Sequence, residues 1–226
     1  MTTSAGEILK SWVTSNAWLK SVLKKTNNAR CEVWDLIHNV DTCGQTAISD
    51  LDFQSKNKAA AVEYHSHHPA IIRAGLRALP IRYEDYTFID FGCGKGRVLL
   101  LASEFPFRKI IGLEFAPPFI EIARRNLRTY RSSGQKCSNI EVIAGDATEY
   151  ELPPERQVLY FYNPFAPSIV DLVVQRIEDS LQRSPRDLLV VFSGMLTRRE
   201  RAFGSHPQYE RLARQPYADI YRHRAV

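Results

Sequence analysis

The chain is 226 residues long, 44% hydrophobic and 24% charged, with a formal net charge of +5 at neutral pH. That length fits one large domain with a short extension. The composition is that of a soluble globular protein with enough Val, Ile, Leu and Phe for a core, which excludes a disordered or fibrous chain, and the longest apolar run, VLLLA at 98–102, is too short to cross a membrane.

The N-terminus, MTTSAGEILKSW, has no cationic start followed by an apolar block, so no secretory leader is expected. Cys31, Cys43, Cys93 and Cys137 are scattered without a CxxC pair. That suits reduced thiols in a cytoplasm better than a disulfide frame or a zinc site. Arg183, Arg186, Arg198, Arg199, Arg201, Arg211, Arg214, Arg222 and Arg224 crowd the last quarter. They read as a solvated surface, with an anionic partner as the alternative. No basic stripe is interleaved with aromatics, so a nucleic-acid partner is not expected.

In chain order, residues 6–25 place Ile8, Leu9, Trp12, Leu19, Val22 and Leu23 at helical spacing, so one or two amphipathic helices open the chain. Residues 39–58 are polar and turn-rich, hence a loop. PAIIRAGLRAL (69–79) begins with Pro at a helix's favoured first position and continues with helical period. An alternation follows. YTFIDF (86–91) is a strand and RVLLLASE (97–104) a helix; KIIGLE (109–114) is a strand and PPFIEIARRNLRTYR (117–131) a helix. NIEVIAG (139–145) and VLYFYN (158–163) are strands, SIVDLVVQRIEDSLQR (168–183) an amphipathic helix, DLLVVFSG (187–194) a strand, and YADIYRHR (217–224) a more exposed one. Short, continuously apolar strands separated by helices imply a mostly parallel sheet covered on both faces. The expected fold is a doubly wound α/β fold, with ligands beyond the carboxyl ends of the strands where their order reverses.

The strand ends carry the chemistry. FIDFGCGKGR (88–97) puts Asp90 at the end of a strand, then Gly92, Gly94 and Gly96, then a helix. Glycines let backbone approach a ligand where side chains would collide, and a helix N-terminus adds free N–H groups. Glu114 ends the next strand, 24 residues after Asp90, where a carboxylate can hold both hydroxyls of a ribose. Gly145-Asp146-Ala147 follows the third strand and Asn163-Pro164-Phe165 the fourth. Singly, each is also a turn or cap signal; together, in this order, they describe a nucleoside site.

The set FIDFGCGKGR, IIGLEF, AGDATEY and YFYNPF resembles the class I, seven-strand S-adenosylmethionine-dependent methyltransferases. A dinucleotide fingerprint would want its third glycine one residue later. More narrowly, WDLIHNVDTCG (34–44), the Asn57 region and the segment from Tyr64 to Pro69 resemble a group of bacterial methyltransferases without an assigned acceptor, over roughly residues 30–226. The resemblance implies a seven-stranded sheet, with S-adenosyl-L-methionine as cofactor and S-adenosyl-L-homocysteine as product. It implies that Gly92, Gly94 and Gly96, with Cys93 and Arg97 in the same loop, wrap the methionine portion and that Asp90 meets its amino group. Glu114 would take the ribose, Phe115 would pack beside the adenine, and Asp146 and Ala147 would face the adenine amino edge. Asn163, Pro164 and Phe165 lie where the family's methyl-transfer motif sits.

Relatives that methylate amide or adenine nitrogens carry Asn-Pro-Pro-Tyr there; Asn-Pro-Phe points away from an amide and leaves amine, hydroxyl and carbon acceptors open. A base is needed only for an acceptor that arrives protonated. Tyr64 and His65, in AVEYHSHHP with His67 and His68, are the candidates beside Asn163. No metal is expected, because the histidines form no i, i+4 pair and only Glu63 lies near. Trp12, Trp18 and Trp34 are read as packing. Residues 1–80 are expected to form a helical cap and 81–226 the cofactor-binding domain. A small-molecule acceptor is expected, with a protein lysine, or cofactor binding without catalysis, as the alternatives.

Overall fold

A computed structural model describes residues 31–47, 63–162, 166–194, 203–215 and 217–224. The expected helices over 6–25, Trp12, Trp18, residues 48–58, the Asn163-Pro164-Phe165 corner, Arg198, Arg199 and Arg201 lie outside the described residues.

Residues 31–38 are helical (α1). Two short strands, β1 (Gln45–Thr46) and β2 (Tyr64–His65), pair antiparallel. Helix α2 (Pro69–Arg77) and a 3-10 turn (Tyr83–Asp85) lead into the alternating part. There β3 (Thr87–Phe91), α3 (Arg97–Ala102), β4 (Lys109–Glu114), α4 (Pro117–Thr129), β5 (Ile140–Ala144), β6 (Gln157–Tyr162), α5 (Pro167–Arg183) and β7 (Leu188–Ser193) follow in turn. A closing hairpin, β8 (Tyr209–Arg214) and β9 (Ala218–His223), completes the sheet. The seven strands run β5-β4-β3-β6-β7-β9-β8, parallel except for β9, which is antiparallel to both neighbours.

The strands the sequence marked as continuously apolar are the central ones: β3 and β7 are buried at every position. Burial on both faces is what such runs require. On one face α2 contributes Ile72 and Leu76, and α3 contributes Val98, Leu99 and Leu101, against Phe88, Tyr160, Val191 and Ile220. On the other, α5 sets Ile169, Val173, Val174 and Ile177 against Ile89, Phe91, Phe161, Val190 and Phe192. Phe91, Phe161 and Phe192 stack across three strands, with centroids 4.9 and 5.9 Å apart.

Strand β8, YERLAR, is absent from the sequence reading for a physical reason. It is the sheet's edge, and four of its six residues (Glu210, Arg211, Leu212 and Arg214) are exposed. A shift of register between Arg211 and Ala213 bends it, as edges that resist further pairing commonly are. The arginine-rich last quarter is also not wholly solvated. Arg222 grips Asp187 through two hydrogen bonds of 2.8 and 2.6 Å, and Arg186 bonds Gln157 and Ser180 beneath the sheet.

Candidate functional site

The chain leaves β3 to build β4 and β5 on one side, then crosses to lay β6 and β7 on the other. The crevice beyond the carboxyl ends of β3 and β6 is the place where such a sheet can take a ligand. Asp90 stands at its floor. It is 2% exposed, and no described residue hydrogen-bonds its carboxylate. Burial, with the Glu114 charge added, pushes its pKa well above the usual carboxylate range.

The loop after β3 has a left-handed backbone at Gly92, Gly94 and Gly96, with φ of 75°, 52° and 84°. At Gly94 the requirement is double: the backbone is left-handed, and a Cβ would overlap the Tyr64 ring. Such a site is closed to other L-residues at little less than 1–2 kcal/mol for the backbone alone, as a rough figure. Glu114 braces the loop from β4. Its Oε2 accepts the Gly94 N–H at 2.8 Å, and its Oε1 accepts the N–H groups of Phe115 and Ala116 at 3.0 and 2.9 Å. Burial raises its pKa, and these three N–H groups oppose the rise. Cys93 is buried against Gly112, which has no side chain to displace it. Burial, with the Glu114 and Asp90 charges, holds its thiol protonated.

A strap from the upstream motif is fastened over this loop. Asp35 of α1 accepts hydrogen bonds from the Thr42 and Cys43 backbone and from the Thr42 hydroxyl, the last at 2.7 Å. Arg97, the first residue of α3 and 2% exposed, donates to Asp35 Oδ1 and to Thr42 Oγ1, both at 2.7 Å. Its guanidinium also lies 5.1 Å from the Trp34 ring, a cation–π distance. Lys95 reaches Asp41 at 2.8 Å. Asn126 of α4 ties three points together, donating to the carbonyls of Asp41 and Lys95 and accepting the Asp41 N–H. Tyr64 donates its hydroxyl to the Thr42 carbonyl at 2.7 Å and packs its ring 5.0 Å from Phe119. Its pKa is raised far above 10, first by burial, so it stays a phenol.

The histidines of AVEYHSHHP separate into three environments. His65 is 41% exposed at its side chain and bonds Gln45 at 2.7 Å and Glu63 at 3.1 Å. His68 caps α2, its Nδ1 accepting the Ala70 N–H at 3.2 Å. His67 is buried, with Nδ1 3.0 Å from the Tyr160 hydroxyl and Nε2 3.3 Å from Ser193 Oγ. It stacks flat on Tyr162, centroids 4.0 Å apart and planes within 2°. Burial first, then the charges of His68 and Arg97, lowers its pKa to about 3.

Of the residues singled out from sequence, the structure gathers Asp90, Gly92, Cys93, Gly94, Gly96, Glu114 and Tyr64 around one loop. Phe115 is half-buried and packs with Ala116, Phe119 and Tyr64. Asp146 turns onto its own loop, accepting the Thr148 N–H at 2.8 Å and its hydroxyl at 2.7 Å, and Ala147 packs into the core below α5. Arg97 lies beneath the strap, paired with Asp35. Asn163 and Pro164 lie outside the described residues. The sequence reading did not assign Asp35, Thr42, Lys95 and Asn126 as fasteners. The quoted motif WDLIHNVDTCG held the signal, a carboxylate followed seven residues later by a Thr it can bond.

The family model described as a methyltransferase domain matches residues 88–183, from β3 to the end of α5. No curated protein matches the chain. Among solved structures, a possible methylase from Clostridium difficile 630 is similar at 14% identity and a TM-score of 0.50, covering 70% of this chain and 53% of that one. The pyocyanin biosynthetic protein PhzM is similar at 12% identity and a TM-score of 0.50, covering 67% of this chain and 54% of that one. An RNA methyltransferase from Salinibacter ruber, in complex with S-adenosyl-L-homocysteine, is similar at 18% identity and a TM-score of 0.44, covering 68% of this chain and 88% of that one. The chain thus spans about half the length of the first two, and the likeness to those two establishes the shared fold. The site's donor set fits the family's cofactor, because a buried carboxylate without a described partner suits an ammonium and bare glycine backbone admits a bulky ligand. A methyltransferase domain thus occupies residues 88–183, on a seven-stranded sheet whose order reverses at this loop.

Proposed function

We propose that the protein methylates an N, O or C atom of a small molecule admitted beneath the strap. The observation that carries this reading is the cover over the crevice. Among the described residues, 41–43 are bound across the glycine loop through Lys95, Arg97 and Asn126. Residues 64–67 lie over the carboxyl ends of β6 and β7 through His67. A mouth roofed by buried hydrogen bonds suits a ligand that can be enclosed better than a folded macromolecule.

In this reading Asp90 takes the cofactor's ammonium and the glycine loop lies along its methionine portion. Glu114, whose oxygens retain lone pairs beyond their three backbone bonds, takes the ribose hydroxyls. Phe115, Asp146 and Ala147 surround the adenine. When bound, S-adenosylmethionine supplies an electrophilic methyl on a sulfonium. Transfer is an in-line displacement, so what the chain contributes is alignment and exclusion of water. Tyr64, held neutral and pinned to Thr42, serves as a wall of the site, and Asn163 and Pro164, which follow β6 in sequence, are proposed to meet the acceptor. His65, tied to Gln45 and Glu63, would act only on an acceptor that reaches β2.

The test is to incubate the protein with methyl-labelled S-adenosylmethionine and, in separate reactions, a low-molecular-weight metabolite extract, total RNA and total protein. Label entering the small-molecule fraction, and lost with Asp90→Ala, supports the reading. Label entering only RNA or protein overturns it.

A further inference from the structure

We infer that Tyr162 faces the methyl group that is transferred and favours a ligand carrying positive charge there, with His67 as the positioning residue that holds its ring. Tyr162 is the last residue of β6 and the one before Asn163. Tyr160, two residues earlier on the same face of the sheet, is the register partner of Asp90 on β3. Tyr162 therefore stands one pleat further out than the carboxylate on the crevice floor, over the strand where the sheet's order reverses.

What surrounds it is built for orientation. The His67 ring lies parallel to it at 4.0 Å. That ring is in turn fixed at both nitrogens, by Tyr160 at 3.0 Å and by Ser193 at 3.3 Å. Ser193 is the register partner of Tyr162 on β7, so the pin and the plate rise from neighbouring strands. Filling a core position needs only an aliphatic side chain. A buried imidazole with both nitrogens engaged carries the desolvation cost of two polar atoms, and in return it fixes one ring plane.

Tyr162 itself is half-buried, and its phenol bonds none of the described residues. Among the described residues no other ring covers the face turned away from His67, and that face and the hydroxyl oxygen are what a ligand in the crevice can meet. Electron-rich aromatic groups attract a nearby cation. The family's cofactor carries a positive sulfonium at the reacting centre and its product does not, so a residue in this place would feel the difference between the two.

Calorimetric titration with two ligands tests this. One is S-adenosylhomocysteine, neutral at sulfur; the other is sinefungin, which carries an ammonium where the methylsulfonium would be. Tyr162→Leu should lower the affinity for sinefungin about tenfold relative to that for S-adenosylhomocysteine. His67→Gln, which keeps a hydrogen-bonding side chain but removes the stacking ring, should lower the same ratio about threefold without touching Tyr162. Retained binding of S-adenosylhomocysteine reports that each variant is folded with its cofactor cradle intact. An unchanged ratio in both variants, or an equal loss for both ligands, would overturn the assignment, because Tyr162 would then act through packing alone.

Discussion

Replacing His67 with glutamine should remove an acid-sensitive part of the protein's stability. The imidazole is withdrawn from water beneath the strap, and His68 and Arg97 add like charge, so its pKa falls from 6.5 to about 3 on folding. Between those values the unfolded chain binds the proton and the folded chain does not. The neutral ring's contribution is therefore fully present above the unfolded value and is lost as pH falls through the window. At 1.36 kcal/mol for each tenfold change in proton activity, the loss reaches roughly 3 kcal/mol at pH 4.5 and about 5 kcal/mol below pH 3. A domain stable by about 5–15 kcal/mol would feel this strongly. The two tyrosines facing the ring do not mask it, because burial keeps Tyr160 and Tyr162 protonated. Asp90 works in the opposite direction, since its raised pKa makes the fold more stable as pH falls, but it is common to both proteins and leaves their difference untouched. Urea unfolding of wild type and His67→Gln between pH 7 and 4.5 gives that difference directly. The wild-type advantage should shrink by roughly 3 kcal/mol across the range. A difference constant to within about 0.5 kcal/mol would refute the reasoning.

Asp90→Asn should raise the melting temperature of the ligand-free protein at pH 7–8, because ionising a buried carboxyl with a raised pKa costs stability. The same variant should bind S-adenosylhomocysteine at least about tenfold more weakly, since a charge-assisted bond is lost; thermal melts and calorimetry read both effects. Gly94→Ala should cost about 1–3 kcal/mol in a denaturant melt and abolish ligand binding. Tyr64→Ala in that background should recover only part of the stability, because it relieves the overlap but not the left-handed backbone. Asp35→Asn should be the most damaging single change, about 3–5 kcal/mol, since it leaves the buried Arg97 guanidinium without its counter-charge. A midpoint shift no larger than that of an exposed pair such as Arg224–Glu210 would contradict that account.

The core was legible because its strands are buried on both faces and therefore continuously apolar. KIIGLE is the strand Lys109–Glu114 to the residue, and PAIIRAGLR begins its helix at Pro69, where a missing N–H costs nothing. The edge strand Tyr209–Arg214 left no such trace, because exposure on one side lets Glu210, Arg211 and Arg214 replace apolar residues. The glycine loop was legible for a related reason: only glycine accepts that backbone, so the constraint is written in residue type. The strap was not. Asp35, Thr42, Arg97 and Asn126 are polar residues that look solvated one at a time, and only their convergence from four separate segments buries them.

That convergence says what the upstream motif is for. Arg97 opens α3 directly behind the glycine loop, and Asn126 on α4 accepts the Asp41 N–H while donating to the Lys95 carbonyl within the loop. Thr42 takes a hydrogen bond from Arg97 on one atom and from the Tyr64 phenol on another. A ligand that displaces the Tyr64 ring from Gly94 must therefore pull on Thr42, and through it on the Asp35–Arg97 pair that anchors α3. Loop, helix and strap share one set of buried hydrogen bonds, so the loop's conformation and the roof's position are energetically one variable. Weakening the roof at Asp35 should thus change ligand affinity as well as stability, although Asp35 belongs to neither the glycine loop nor β3. Loss of stability in Asp35→Asn with unaltered affinity for S-adenosylhomocysteine, measured well below the melting temperature, would show the two to be separate.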